Sequence, residues 1–176
     1  MAQESLPFHT ISELPKEFNP GNTLARSIEG LGFRYYWATY GLTENEWNYR
    51  PSPKAKSLYE TLEHISSLSE TIKNSVQGKN TLRPYVVPPN FDKLRSTTLL
   101  NLEKARNSIL NKNEDELSQL SISFEKDGKT SEFSFWNLYN GPLADVLYHT
   151  GQIVSFRRTA GNPIPKGVNV FLGIKN

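Results

Sequence analysis

The chain contains no cysteine, which excludes disulfides, thiolate metal ligands and a cysteine nucleophile. Any catalytic site must therefore use histidine, carboxylates, hydroxyls or a bound metal, and the lack of thiols fits a reducing compartment. No stretch approaches the roughly eighteen consecutive apolar residues that a membrane-spanning helix needs. The opening "MAQESLPFHTISELPKEF" lacks the basic stretch followed by an apolar one that marks a secretory signal. A soluble, cytoplasmic protein with no membrane partner is expected. Runs of like charge are missing too. Lys and Arg number 20 against 18 Asp and Glu, for a net charge of +2, and no basic stripe of the kind that binds nucleic acid is present, so that partner class is not expected. There is no GxSxG, no glycine-rich phosphate loop and no second carboxylate pair at useful spacing, which leaves serine hydrolases and nucleotide binding without support. Internal repeats and low-complexity segments are also absent.

What is present suffices for one domain spanning 1–176, since 176 residues with 36% hydrophobic and 11% aromatic content can bury a real core. A polar, proline-containing arm (1–20) precedes the first clear period. Leu24, Ile28, Leu31, Tyr35, Ala38 and Leu42 then repeat at 4-3-4-3-4 spacing, which predicts a helix from near Asn22 to near Gly41. "LTENEWNYRPSP" reads as a turn or helical corner broken by Pro51 and Pro53. Ser57 and Glu60 form a capping-box pattern ahead of a second helix. Its stripe of Leu58, Leu62, Ile65, Ile72 and Val76 runs up to Gly78 and is expected to pack lengthwise against the first. "GKNTLRPYVVPPNF" shows no period and reads as a crossover loop without regular structure. A third helix is expected from Asp92, as its cap, to about Asn111, on Thr98, Leu102, Ala105 and Ile109. The alternation in "LSISFEKDGKTSEFSFW" about Asp127-Gly128 predicts a two-stranded insertion. A fourth helix comes next, with Pro142 in its first turn and Gly161 just past its end, and a Pro/Gly tail (162–176) closes the chain. These elements make the expected fold class all-α, a four-helix bundle with a small β-hairpin before the last helix.

The fourth helix carries the candidate chemistry. At ~100° per residue, Asp145, His149, Gln152 and Phe156 fall within a band roughly 60° wide, with Leu143, Val146, Leu147 and Val154 on the opposite side. One face can be buried while the other lines an internal pocket. The i, i+4 spacing of Asp145 and His149 sets a carboxylate beside an imidazole, one way to hold a divalent cation on a helix. Of the three histidines, His9 lies in the arm and His64 in the second helix. Helices packed about 8–10 Å apart would let His64 meet the pair. His64, Asp145 and His149 then read either as a two-His, one-carboxylate site with an open position, suited to zinc, nickel, iron or manganese, or as a hydrogen-bonded Asp145–His149 pair with His64 at a helix edge. Gln152, about one turn after His149, is placed to hydrogen-bond a bound ligand or a metal-ligating side chain.

The stretches "GLTENEWNYRPSPKAKSLYETLEHI" and "YNGPLADVLYHTGQIVSFRR" resemble the DinB/YfiT-like superfamily of metal-binding four-helix bundles. In that superfamily a polar turn with an R-P-S-P-like stretch leads to a histidine on the second helix, and the fourth helix carries an H-x-x-x-H stripe running into a basic-Gly-Gln sequence. His64 and His149 match ligand positions there, and Gly151 and Gln152 match the residues after them. Asp145 stands where the superfamily usually has the first fourth-helix histidine, so either a carboxylate replaces an imidazole as ligand or the metal site is weakened. Thr150 replaces the usual basic residue. The resemblance implies an up-down-down-up order with the proline-rich loop as crossover, a homodimer, and a divalent metal, zinc or nickel before iron or manganese. Some relatives in the superfamily are transferases or isomerases that activate a low-molecular-weight thiol, while many have no known activity.

The leading expectation is a metal-dependent enzyme acting on a small-molecule substrate, in the manner of a thiol-dependent transferase. The alternative is a non-catalytic dimeric bundle, a binding or stress-associated protein that keeps the pocket without the chemistry. Trp47, Tyr49 and Arg50 read as packing at a corner or as a pocket mouth. Tyr35, Tyr36 and Trp37 read as core and flanking surface of the first helix. Arg157 and Arg158 read as solvated charges that complement the helix dipole.

Overall fold

The computed structural model describes residues 6–176; residues 1–5 of the expected arm lie outside the described residues. Helix α1, Pro20–Thr39, is opened by Asn19, whose side chain accepts from the Asn22 N–H at 2.8 Å, with Pro20 in the first turn where its missing N–H does no harm. The predicted stripe is the buried one, Leu24 through Leu42. The corner contains a one-turn helix α2, Glu44–Trp47, boxed by Thr43 and Glu46. Helix α3, Leu58–Val76, begins at the expected Ser57/Glu60 capping box. The Arg50 guanidinium grips Glu60 with two bonds of 2.7 and 3.1 Å. That ion pair, with the Ser57 backbone N–H, holds the Glu60 carboxyl down to about 2.

The segment expected to lack regular structure contains a short strand, β1 (Thr81–Leu82). Helix α4, Phe91–Ile109, is capped by Asn90 rather than Asp92. Asn90 has the extended backbone a cap requires and accepts from the Lys93 N–H at 3.0 Å, whereas Asp92 sits within the first turn, where it only complements the dipole. A short helix α5, Glu114–Ser118, leads into β2 (Ser121–Lys126) and β3 (Lys129–Ser134). These two strands pair antiparallel through the predicted Asp127-Gly128 loop, at whose two positions φ is +51° and +72°, as a tight hairpin of this type demands. β1 pairs parallel with β2, Thr81 opposite Phe124, a partnership between distant residues that no local pattern could display. Helix α6, Ala144–Thr159, comes next, and the tail forms a miniature hairpin of β4 (Val168–Asn169) and β5 (Ile174–Lys175).

The protein is therefore mostly helical. Among the long helices, the neighbours of α1 are α4 and α6, and the neighbours of α3 are also α4 and α6. The first two long helices thus face each other across the core instead of lying side by side as expected. The connection 40–57, with α2 inside it, is long enough to carry the chain across the shared core. That core is continuous, with Leu24, Ile28, Leu62, Ile65, Leu99, Leu102, Val146 and Ile153 in one cluster. Asn101 donates to Ser69 Oγ at 3.1 Å between α4 and α3, whereas the buried Tyr35 hydroxyl and Trp47 indole N–H have no hydrogen-bond partner among the described residues.

The arm is held down rather than loose from residue 6 onward. The Phe8 ring lies on Gly32, the Trp37 indole donates to the His9 carbonyl at 3.1 Å, and Ser12 and Arg106 both bond the buried Glu29 carboxylate. The Ile11 N–H donates to the Gly173 carbonyl at 2.8 Å, tying arm to tail. Among the described residues no helix is long and apolar enough to cross a membrane.

Gly21 marks the tightest helix contact. Its N–H donates to the Lys112 carbonyl at 3.1 Å, and a Cβ placed there would lie 2.5 Å from the carbonyl oxygens of both Ile109 and Lys112. Backbone cannot rotate away as a side chain can. Gly21→Ala is therefore expected to destabilise the fold by about 1–3 kcal/mol, the usual range for overpacking, read as a lowered urea midpoint at unchanged slope. An unchanged midpoint would show that α1 and α4 can separate at that end without loss.

Candidate metal centre

The chain enters α6 through a widened π turn, Tyr139–Leu143, in which Gly141 leaves helical dihedrals (φ −96°, ψ −107°) and Pro142 supplies no N–H. Pro142 thus sits in this turn and not in the first turn of α6, which starts at Ala144. A turn of this kind shifts the register of the helix beyond it and is frequent at functional sites. The buried stripe of α6 is Val146, Thr150, Ile153 and Arg157. Leu147, expected on the apolar face, is 49% exposed. Thr150 takes a core place because its hydroxyl donates back to the Val146 carbonyl at 2.7 Å and so leaves no orphaned group.

Beside that stripe stand Asp145, His149 and Gln152, all half-buried, and α3 brings His64 to them. His64 Nε2 lies 3.1 Å from Asp145 Oδ2, and His149 Nε2 lies 3.2 Å from Asp145 Oδ1. The two imidazole rings stand edge to face with centroids 4.9 Å apart. The three residues offer ligand atoms that all lie within 4.8 Å of one another. Gln152 Oε1 is 2.7 Å from His149 Nδ1. A carbonyl oxygen can only accept, so in this orientation Nδ1 carries a proton, and Nε2 faces the Asp145 carboxylate either with a second proton, as an ion pair, or with its lone pair. Two lone-pair atoms at 3.2 Å repel unless a proton or a cation lies between them. Bonds of about 2.0–2.2 Å at tetrahedral angles separate neighbouring ligand atoms by about 3.4 Å. The two His–Asp distances, each to a different carboxylate oxygen, are near that value, and imidazole with carboxylate is a donor set that zinc and other divalent metals accept. The cluster could hold a metal ion.

An open cleft of about 500 Å³ reaches His64 from outside, lined also by Arg50, Lys54, Lys56, Glu60 and Glu63. Arg50 and Glu60 neutralise each other there. Of the corner residues, Arg50 thus belongs to the cleft mouth, whereas Trp47 packs on Tyr59 and Phe91 and Tyr49 packs on Phe156. His9 takes no part in the site and lies against Tyr36 and Trp37. Tyr35 and Trp37 are buried, with Tyr36 half-buried, in keeping with a core and flanking role.

Arg157 is not a solvated charge. It is 1% exposed, and its Nη1 donates to the Ala38 and Tyr40 carbonyls at 3.0 and 2.8 Å while its Nε donates to the Asn162 carbonyl at 2.8 Å. The only hint in the sequence was its place one turn beyond Ile153 on the buried stripe.

Fold and site together define a mostly helical protein with a His64–Asp145–His149 cluster suited to a divalent cation. No protein-family model matches the chain, and a search of curated proteins finds no match to it.

Proposed function

We propose that this protein is a divalent-metal-dependent enzyme of the DinB-like type, with His64, Asp145 and His149 as ligands and zinc or nickel, before iron or manganese, as the ion. The observation that carries this reading is that one carboxylate, Asp145, lies 3.1 Å from His64 Nε2 and 3.2 Å from His149 Nε2, while Gln152 Oε1 stands 2.7 Å from the far nitrogen of His149. That is how a second polar group commonly orients a ligating histidine. A bound ion would supply Lewis-acid activation of a water or a thiol.

The residues of the chain do the rest. Gln152 fixes the tautomer of His149, Asp145 lowers the net positive charge of the site relative to a three-histidine set, and the cleft beside His64 admits a small molecule. With no cysteine in the chain, the nucleophile comes from solvent or from a cosubstrate; it is the resemblance to the DinB-like superfamily that puts thiol-dependent transfer first among the activities. The long helices are taken to run up-down-down-up and to assemble as a homodimer. In support, Leu147 and Tyr148 are 49% and 64% exposed on the outer side of α6.

Elemental analysis of protein purified without a histidine tag is expected to find close to one divalent ion per chain, and the metal-loaded form is expected to turn over small thiols with electrophiles, faster in Asp145→His. Metal without turnover in either form would assign the site to the non-catalytic alternative. No bound metal after loading would overturn the reading. Sedimentation equilibrium at micromolar concentration should give twice the 20.0 kDa chain mass, and a concentration-independent monomer would remove the dimer.

A further inference from the structure

A second cavity, of about 890 Å³, lies where α5, the β2–β3 hairpin and the segment entering α6 meet the start of α1, and it shares no lining residue with the cleft at His64. Its walls follow from the topology. The sheet order is β1-β2-β3, so β3 is an outer strand, and all of its residues are exposed. Phe133 is paired opposite the buried Ile122. Its ring therefore starts on the core-facing side of the hairpin, yet among the described residues no further strand covers it and it is 49% exposed. Trp136 and Tyr139 come next at i, i+3, their rings 6.0 Å apart and inclined by 38°, and they are 78% and 40% exposed. Three aromatic side chains thus converge on one concavity whose volume is in the range of small-molecule sites, about 300–1,000 Å³.

The charge around these rings has one sign. The acidic residues lining the cavity are Glu114 and Glu132, and no lysine or arginine lines it. Glu132 alternates with Phe133 along β3, so its side chain starts on the other face and borders the cavity from the strand edge. Neither glutamate belongs to an ion pair among the described residues. Aromatic faces carry negative quadrupole charge and attract cations. Rings and carboxylates together repel anions, and a ligand that satisfies both needs a positive centre on an apolar body. The cleft at His64 is the contrast, because Arg50, Lys54 and Lys56 line it.

We propose that this cavity is a binding site for a small organic ammonium ion with an aromatic or aliphatic body, separate from the metal cluster. The cationic centre sits against Trp136 and Tyr139 in the negative field of Glu114 and Glu132, which border the same cavity, and the apolar part lies on Phe133 and Leu117.

The full chain is titrated with phenyltrimethylammonium, with its uncharged isostere tert-butylbenzene, and with benzenesulfonate, by calorimetry and by the indole N–H signals of the three tryptophans. The Trp136 signal is identified by its loss in Trp136→Ala. The ammonium compound is expected to shift that signal saturably and to bind at least about threefold to thirtyfold more tightly than the isostere, the range a cation–π contact supplies. Benzenesulfonate should give no saturable shift. Trp136→Ala and Glu132→Gln should each weaken the ammonium compound by about threefold to tenfold. Both positions are exposed, so the variants keep the fold, as an unchanged circular dichroism melt will verify. His149→Ala and added EDTA should leave binding unaltered, which separates this site from the metal reading. Equal affinity for the uncharged isostere, indifference to Trp136→Ala, or a Trp136 signal that moves with protein concentration alone would overturn the proposal. The last of these would give the cavity to a second copy of the chain.

Discussion

Arg157→Met is expected to lower the stability of the fold by about 3–5 kcal/mol, the usual result of removing one member of a buried charged network. For a chain of this size that is a fall of about 6–20 °C in melting temperature. Methionine nearly matches the arginine in bulk but supplies no donor. The Ala38 and Tyr40 carbonyls at the end of α1 would lose their bonds from Nη1, and the Asn162 carbonyl would lose its bond from Nε. The last carbonyls of a helix have no partner of their own, and leaving them buried and unpaired carries the full desolvation penalty. Glu46 would lose its cationic neighbour as well. Burial pushes the Glu46 carboxyl up, but the Thr43 backbone N–H, the Asn162 side chain, the Thr43 hydroxyl and the Arg157 charge outweigh it and hold the group below the usual carboxylate range. A depressed carboxyl contributes stability above its unfolded pKa and loses it as pH falls through the folded one. The gap between wild type and Arg157→Met should accordingly narrow as the solution is acidified through and below the usual carboxylate range. Thermal melts followed by circular dichroism at neutral and at acid pH test both statements. A variant within about 0.5 kcal/mol of wild type, the ordinary range of surface changes, would show that the clamp is not needed.

Zinc at one hundred times its dissociation constant is expected to stabilise the wild-type protein by about 2.7 kcal/mol, and removing either imidazole should erase that gain. His64→Ala and His149→Ala each leave the carboxylate with a single partner, so the zinc-induced shift in melting temperature should vanish in both. Gln152→Ala removes only the group that orients His149, and a loss of about 10–100-fold in zinc affinity is expected for an outer partner of this kind. The graded order distinguishes a metal site from a hydrogen-bonded cluster. In a cluster without metal the three changes would alter the melting temperature of the apo protein and leave its zinc response flat. Because a ligating histidine must give up its proton to the metal, affinity should also fall on acidification. A zinc response that survives both histidine changes would place the ion elsewhere.

Local chemistry made much of the architecture legible in advance. The stripe of α1, the Ser57/Glu60 box that opens α3 and the Asp127-Gly128 loop are each decided by residues within a few positions of one another, so sequence spacing sufficed for them. The cap of α4 was missed by a short distance because Asn90 and Asp92 are both capable caps, and only the backbone dihedrals, extended at Asn90, select between them. On α6 the spacing of Asp145, His149 and Gln152 already placed a carboxylate, an imidazole and an amide on one face.

Tertiary structure alone decided the rest. That His64 arrives at this face depends on α3 packing beside α6, and the same packing sets α1 and α3 across the core from each other, an outcome that two similar apolar stripes cannot announce. The pairing of β1 with β2 and the burial of Leu143 without Leu147 depend likewise on which surface each segment meets. Arg157 is the clearest case. Its sequence neighbours are those of a helix-end arginine facing water, and what makes it a core residue is the cluster of backbone carbonyls that α1 and the Asn162 turn present to it. Patterns along the chain report which groups can be buried. Whether a charged group is buried depends on partners that are distant in sequence and adjacent only after folding, because the desolvation of a guanidinium is tolerable only where several acceptors are already in place.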